Sequence, residues 1–184
     1  MSDQDRADAV YETLLSRAGE SWVQPRKERT ARLLEMLGDP QGMYRVVHIT
    51  GTNGKTSTAR IVESLVRAHG LRTGLFTSPH LERFTERIMI DGEPIADAAV
   101  ADTWDDIEPF VGLVDAELEA AGEEPLTFFE LLTALAFAAC ADAPVDVLVL
   151  EVGMGGEWDS TNTANGDVAV FAPCLLYTSP SPRD

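Results

Sequence analysis

The chain has 184 residues with 45% apolar side chains, enough for one domain with a sizeable core. Its formal charge of −17 is unevenly placed: residues 1–87 hold 13 of the 14 Lys and Arg but 11 of the 31 Asp and Glu, so the second half is strongly acidic. That balance argues against a nucleic acid or an anionic membrane as partner, since both demand clustered cations, and no apolar run reaches the ~18 residues of a membrane span.

Ser2 or Asp3 can cap a first helix in which Ala7, Val10, Leu14 and Leu15 recur at helical spacing, with Gly19 as its stop. Pro25 suits the first turn of a second helix carrying Leu33, Leu34 and Leu37, closed by Gly38. Its Arg26, Lys27, Arg29 and Arg32 form either a solvated face or a basic face toward an anionic substrate. The apolar run at 46–50 is a strand. It feeds Gly51, Thr52, Asn53, Gly54 and Lys55, then Thr56, Ser57 and a helical pattern ending at Gly70.

Strand, glycine loop and helix in that order make a phosphate site. Gly51 and Gly54 let backbone N–H groups approach oxygens, and the new helix aims its positive end at the anion. Lys55 adds a point charge for the β- and γ-phosphates, and Thr56 or Ser57 offers a hydroxyl to Mg²⁺. The match to the usual phosphate-loop pattern is incomplete, because Ile49 holds the first glycine position. A strand-to-helix turn binding nothing is the alternative. In the helix, Ala59, Ile61, Val62, Leu65 and Val66 predict a buried stripe.

A short strand at 72–76 places residues 77–80 past its carboxyl end, the edge where open α/β sheets bind ligands. Ser78 there can offer a hydroxyl to a metal or phosphate, or form a plain Ser-Pro turn with Pro79. His80 is either a turn histidine or a substrate contact. Arg83 and Arg87 suit carboxylates or phosphates, or pair with neighbouring Glu82 and Glu86. Asp91-Gly92 between Ile88-Met89-Ile90 and Glu93-Pro94-Ile95 predicts a hairpin. Asp97 can cap a long helix through Leu118 whose acids form a solvated face. Thr127 and Glu130 form a capping box for the next helix. The apolar run 145–150 reads as a central parallel strand, and Glu151 at its end sits where a Mg²⁺ ligand facing a phosphate loop belongs. Gly153, Gly155 and Gly156 leave room for backbone to approach a ligand. Cys140 and Cys174 lack metal spacing and read as reduced bystanders. With no signal peptide at the start of the chain, the cytoplasm is the expected compartment.

The string Thr50-Gly51-Thr52-Asn53-Gly54-Lys55-Thr56 resembles the nucleotide loop of the Mur ligase superfamily. Thr77-Ser78-Pro79-His80-Leu81, Glu86-Arg87-Ile88 and Leu150-Glu151-Val152-Gly153-Met154-Gly155-Gly156 narrow the resemblance to the folylpolyglutamate synthases, in bacteria often also dihydrofolate synthases. It implies an α/β fold, a mostly parallel sheet with helices on both faces, and an ATP-dependent ligase. ATP would phosphorylate a carboxylate of dihydropteroate or of a folate's glutamate, and the amine of L-glutamate would displace phosphate. The resemblance makes Lys55 and Glu151 candidate catalytic residues and 51–57 the nucleotide loop. Ser78, Glu151 and Thr56 or Ser57 would hold Mg²⁺, with Ser57 favoured because a glycine often follows the lysine in this branch. His80, Arg83, Thr127, Phe129 and Asp159 would contact substrate, Phe129 beside the pteridine and benzoyl groups.

Two departures bear on activity. Glu157 stands where relatives commonly carry Arg, although Asp159 and Asn162 still match. From Cys174 to Asp184 the chain is Ser- and Pro-biased where the family expects a metal-binding histidine segment, and it reads as an assembly scar. Residues 1–173 are thus expected to be an incomplete ATP-binding domain lacking the carboxyl-terminal glutamate ligase domain, monomeric and inactive alone. The rival readings are a cell-wall Mur-type ligase and a nucleotide-binding fragment without catalysis.

Overall fold

The computed structural model describes residues 1–19, 26–154 and 157–173. Pro25, Gly155, Gly156, Cys174 and the tail at 174–184 lie outside the described residues. Helix α1 (Asp3–Leu15) starts at Ser2, whose hydroxyl accepts the Asp5 N–H while the Asp5 carboxylate accepts the Ser2 N–H. It ends at Ser16, short of Gly19. Helix α2 (Glu28–Met36) is followed by β1 (Arg45–Thr50), α3 (Lys55–Ala68) and β2 (Thr73–Phe76). Next come the hairpin β3 (Ile88–Ile90) and β4 (Glu93–Pro94), with Asp91 and Gly92 both at positive φ as their sequence predicts. The long α4 (Asp97–Ala120), α5 (Phe128–Asp142), β5 (Val147–Glu151) and β6 (Val168–Phe171) complete the order. Ala96, not Asp97, occupies the N-cap of α4.

One six-stranded sheet runs β4-β3-β2-β5-β1-β6. Strands β2, β5, β1 and β6 are parallel, and the hairpin adds an antiparallel edge. The crossover from β1 through α3 to β2 passes over one face, and α5 leads into β5 on the other. Three adjacent strands, β2, β5 and β1, therefore deliver their carboxyl ends to one place.

The two faces are covered unequally. Toward α5 lies the main core, where Val46, Phe76, Ile88, Leu148 and Leu150 meet Leu131, Leu135 and Phe137. Helix α5 is apolar all round because α1, α2 and α4 pack on its outer side. At Gly74 a side chain would meet the Cys140 sulfur at 2.7 Å, so this glycine lets α5 sit close to the sheet. Burial pushes the Cys140 thiol up to about 12, which leaves it inert.

On the opposite face α3 is the one helix, among the described residues, over Ile49, Leu75 and Val149. The stripe expected on α3 is accordingly only partly buried. Ala59 is enclosed, but Ile61 and Leu65 are 61% and 59% exposed, because no neighbouring helix covers that flank among the described residues. Glu63 is buried instead, accepting the Thr73 hydroxyl at 2.5 Å and the Arg67 Nε–H at 2.9 Å.

The charge asymmetry has a structural use. Arg6 reaches Asp102 and Asp105, Arg17 reaches Asp115, and Arg32 grips Glu117 through two nitrogens. Arg26 pairs with Glu123, and buried Arg29 faces Glu130 while donating to the carbonyls of Glu124 and Pro125. Of the residues expected to form a solvated or a substrate face, Arg26 and Arg32 stay partly exposed while pairing with acids, and Arg29 is buried. With Arg6 and Arg17 these arginines fasten the amino-terminal helices to the acidic second half.

Candidate active site

β1 ends at Thr50, and the chain turns at Gly51 with φ 138°. A Cβ there would lie 2.5 Å from the Ala172 carbonyl, so only glycine fits beside the end of β6. Gly54, at φ 77°, is the N-cap of α3, which leaves the first N–H groups of that helix to face an anion. Lys55 is the first residue of α3, half-exposed beside this turn.

Cross-strand from Ile49 stands Glu151, the last residue of β5 and only 2% exposed. Its Oε1 accepts the Thr56 hydroxyl at 3.1 Å, while Oε2 is buried without a hydrogen-bond partner. Desolvation raises its pKa above the ordinary glutamate value. The Thr56 hydrogen bond, the charge of Lys55, the Ser78 backbone N–H and Arg60 pull the other way. The Ser78 N–H favours the ionised form without closing a hydrogen bond to Oε2. A buried, uncompensated carboxylate oxygen at a phosphate loop fits a hard cation. Among the described residues no group of three His, Cys, Asp or Glu side chains accompanies it, so the remaining ligands would be hydroxyls and phosphate oxygens. The hydroxyl that meets Glu151 is Thr56. Ser57, favoured from the branch pattern, is exposed on the next position of the helix.

Ser78 follows β2 in a loop fixed at several points. Thr77 N–H donates to the Arg87 carbonyl, and the peptide bond to Pro79 is cis. The Glu86 carboxylate accepts the backbone N–H groups of Leu81, Glu82 and Arg83, which hold its pKa below the usual carboxylate value.

No family model matches the chain. It is 51% identical over 170 residues to the dihydrofolate synthase/folylpolyglutamate synthase of Mycobacterium tuberculosis, covering 91% of this chain and 35% of that protein. The folylpolyglutamate synthase of that organism, solved in complex with ADP, superposes with a TM-score of 0.88 at 48% identity, over 94% of this chain and 38% of the other.

Over the residues it spans, the chain is similar to the folylpolyglutamate synthases.

A solved FPGS–AMPPCP–folate complex also matches, with a TM-score of 0.81 at 37% identity over 93% of this chain and 40% of the other. The chain spans little more than a third of the length of these folylpolyglutamate synthases. The Mur ligase-type α/β fold expected from the sequence is the one observed, with the hairpin as its antiparallel edge.

The remaining residues expected at a folylpolyglutamate synthase substrate site fall into two groups. Thr127 and Glu130 form the expected capping box at the start of α5, which presents Phe129 toward Gly153. His80 lies half-buried between the Arg87 Nε–H, donating to Nδ1 at 2.8 Å, and the Tyr11 hydroxyl, 3.3 Å from Nε2. The Arg87 guanidinium also covers the Phe128 ring at 5.3 Å. Arg83 and Asp159 are engaged within the chain. Arg83 pairs with Asp97 at 2.9 Å and lies 3.8 Å from Asp8, and both Asp159 oxygens accept hydrogen bonds.

Tyr11 was invisible to motif reading. It stacks on Phe84 at 4.8 Å and docks α1 against the Ser78 loop, but no spacing links residue 11 to residue 80. The only signal was an aromatic residue on the buried side of an amphipathic helix.

Proposed function

We propose that this region serves an ATP-dependent ligase that adds L-glutamate to a folate, or to dihydropteroate, with residues 1–173 as its nucleotide-binding domain. The observation that carries the reading is Glu151, a buried carboxylate with one oxygen unpartnered, set against Thr56 at the mouth of a glycine loop. The similarity to an FPGS–AMPPCP–folate complex supports both the nucleotide and the acceptor class.

The chain's own residues have distinct tasks. Backbone N–H groups of residues 51–57 and the positive end of α3 hold the phosphates, and Lys55 adds a full charge beside them. Glu151, Thr56 and Ser78 would hold Mg²⁺, with Ser57 on the next position of the helix, and the ion would supply charge neutralisation for the phosphates. ATP supplies the phosphoryl group that activates the acceptor carboxylate for attack by the glutamate amine. Phe129, Thr127 and His80 orient the acceptor, and Arg83 can exchange Asp97 for a ligand carboxylate. Asp159 supports the same pocket from behind. These tasks are positioning and charge neutralisation, which suffice for acyl and phosphoryl transfer.

No described helix is long and apolar enough to cross a membrane, and a cytoplasmic, monomeric enzyme is the reading that fits small soluble substrates. The test is phosphate release by a full-length polypeptide carrying this region, with ATP, Mg²⁺ and glutamate. Release that requires dihydropteroate or tetrahydrofolate is expected. Release supported only by a nucleotide-linked muramyl acceptor would replace the folate reading with the cell-wall one.

A further inference from the structure

His48 sits in the middle of β1, between Leu150 of β5 and Ala169 of β6 in register. A histidine in a central parallel strand needs a partner, and this one finds it outside the sheet. Its Nε2 lies 3.0 Å from the Thr161 hydroxyl oxygen. Thr161 is fully buried and donates that hydroxyl to Asp159 Oδ1 at 2.6 Å. The single proton of that hydroxyl is thereby used, so the Thr161 oxygen can only accept from the imidazole. The direction of the chain is thereby fixed: His48 Nε2–H to Thr161, and Thr161 O–H to Asp159.

The far end of the chain reaches the site. Asp159, 8% exposed, accepts the Met154 N–H at 2.7 Å on Oδ2 and the Thr161 N–H at 3.0 Å on Oδ1. Met154 follows Gly153, whose Cα lies against the Phe129 ring so closely that a Cβ there would collide with it. The Thr30 hydroxyl donates to Ser160 and ties the same turn to α2. Hydrogen bonds in such a dry chain polarise and strengthen one another.

We infer that His48 is a positioning residue, which through Thr161 and Asp159 holds the Gly153–Met154 turn against Phe129 and so sets the floor of the acceptor pocket. The consequence for ligand binding rests on the folate reading above, whereas the hydrogen-bond chain does not. Gln at position 48 can place an N–H donor near Nε2, and Leu cannot.

The experiment compares H48Q, H48L, T161S and T161V in the 184-residue chain. Amide exchange at Met154 is followed together with binding of AMPPCP and of pteroylglutamate. H48L and T161V should speed Met154 exchange at least tenfold and weaken pteroylglutamate about tenfold, with AMPPCP affinity held within twofold. H48Q and T161S should behave like the unsubstituted chain. Equal Met154 exchange in H48L and H48Q, or in T161V and T161S, would overturn the inference and leave His48 as packing. The two threonine variants decide the matter if H48L does not fold. Failure of the unsubstituted chain to bind pteroylglutamate while AMPPCP binds would count against the acceptor reading, and Met154 exchange would still decide the role of His48.

Discussion

Glu151 concentrates the conflict between stability and binding. Its raised pKa means that ionising it at neutral pH costs folding free energy, and that cost shrinks as pH falls through the folded value and is gone below the ordinary glutamate value. Glu151→Gln should therefore stabilise the ligand-free chain at pH 7 by about 0.5–2 kcal/mol, read from the denaturant midpoint. The same variant should lose at least tenfold of the Mg²⁺-dependent gain in AMPPCP affinity while binding without Mg²⁺ is unchanged. A cation also competes with the proton for this oxygen. Apparent Mg²⁺ affinity should rise with pH through the glutamate range and somewhat above it, then level off, as titration calorimetry between pH 5 and 8 can show. The placement of Glu151, Lys55 and Ser78 at the sheet edge was legible because each follows or ends an apolar strand. The engagement of Asp159 was not, because its contacts with Met154 and Thr161, and through Thr161 with His48, arise only in the folded turn beside β1.

At the level of elements, the phosphate loop shows how local sequence and distant packing combine. Gly51 combines a positive φ with a collision against Ala172, just past β6, for any side chain. Gly51→Ala should cost ~1–3 kcal/mol in chemical unfolding and weaken nucleotide binding with it. The capping box of α5 was readable in a four-residue string, and of the two caps open for α1, Ser2 is the one used. The burial of α3 was misread for a physical reason: periodicity says which side of a helix is apolar, but not how many neighbours will cover it. The arginines of α2 posed the converse problem. Apart from Glu35, next to Arg32 on the same helix, their partners lie 85 or more residues away, on α4, the segment after it and α5, where no periodicity points. Arg29 is the buried member of that set, and Arg29→Ala strands the Glu130 carboxylate and two carbonyls. A loss of about 3 kcal/mol at the unfolding midpoint is expected, against well under 1 kcal/mol for Arg26→Ala at the exposed pair with Glu123.

Across the whole molecule, the α/β class followed from strands alternating with helices, and the site followed from where parallel strands end. Strand order was not legible, since nothing local says that β5 inserts between β2 and β1. Nor was the bareness of one edge. β6 pairs only with β1 among the described residues and leaves Phe171 80% exposed. The ion pairs between the halves carry a different consequence, one of time rather than of structure. A chain that must close loops of 90 residues before its helices can dock pays for them in search time. Opposite charges at the two ends of those loops shorten the search, as they do between separate molecules. Screening removes that help without touching the apolar core. Stopped-flow refolding should therefore slow severalfold between about 0.01 and 0.5 M NaCl, with unfolding rates little changed. An unchanged refolding rate with faster unfolding would mean that the arginines arrive at their acids only after the rate-limiting step.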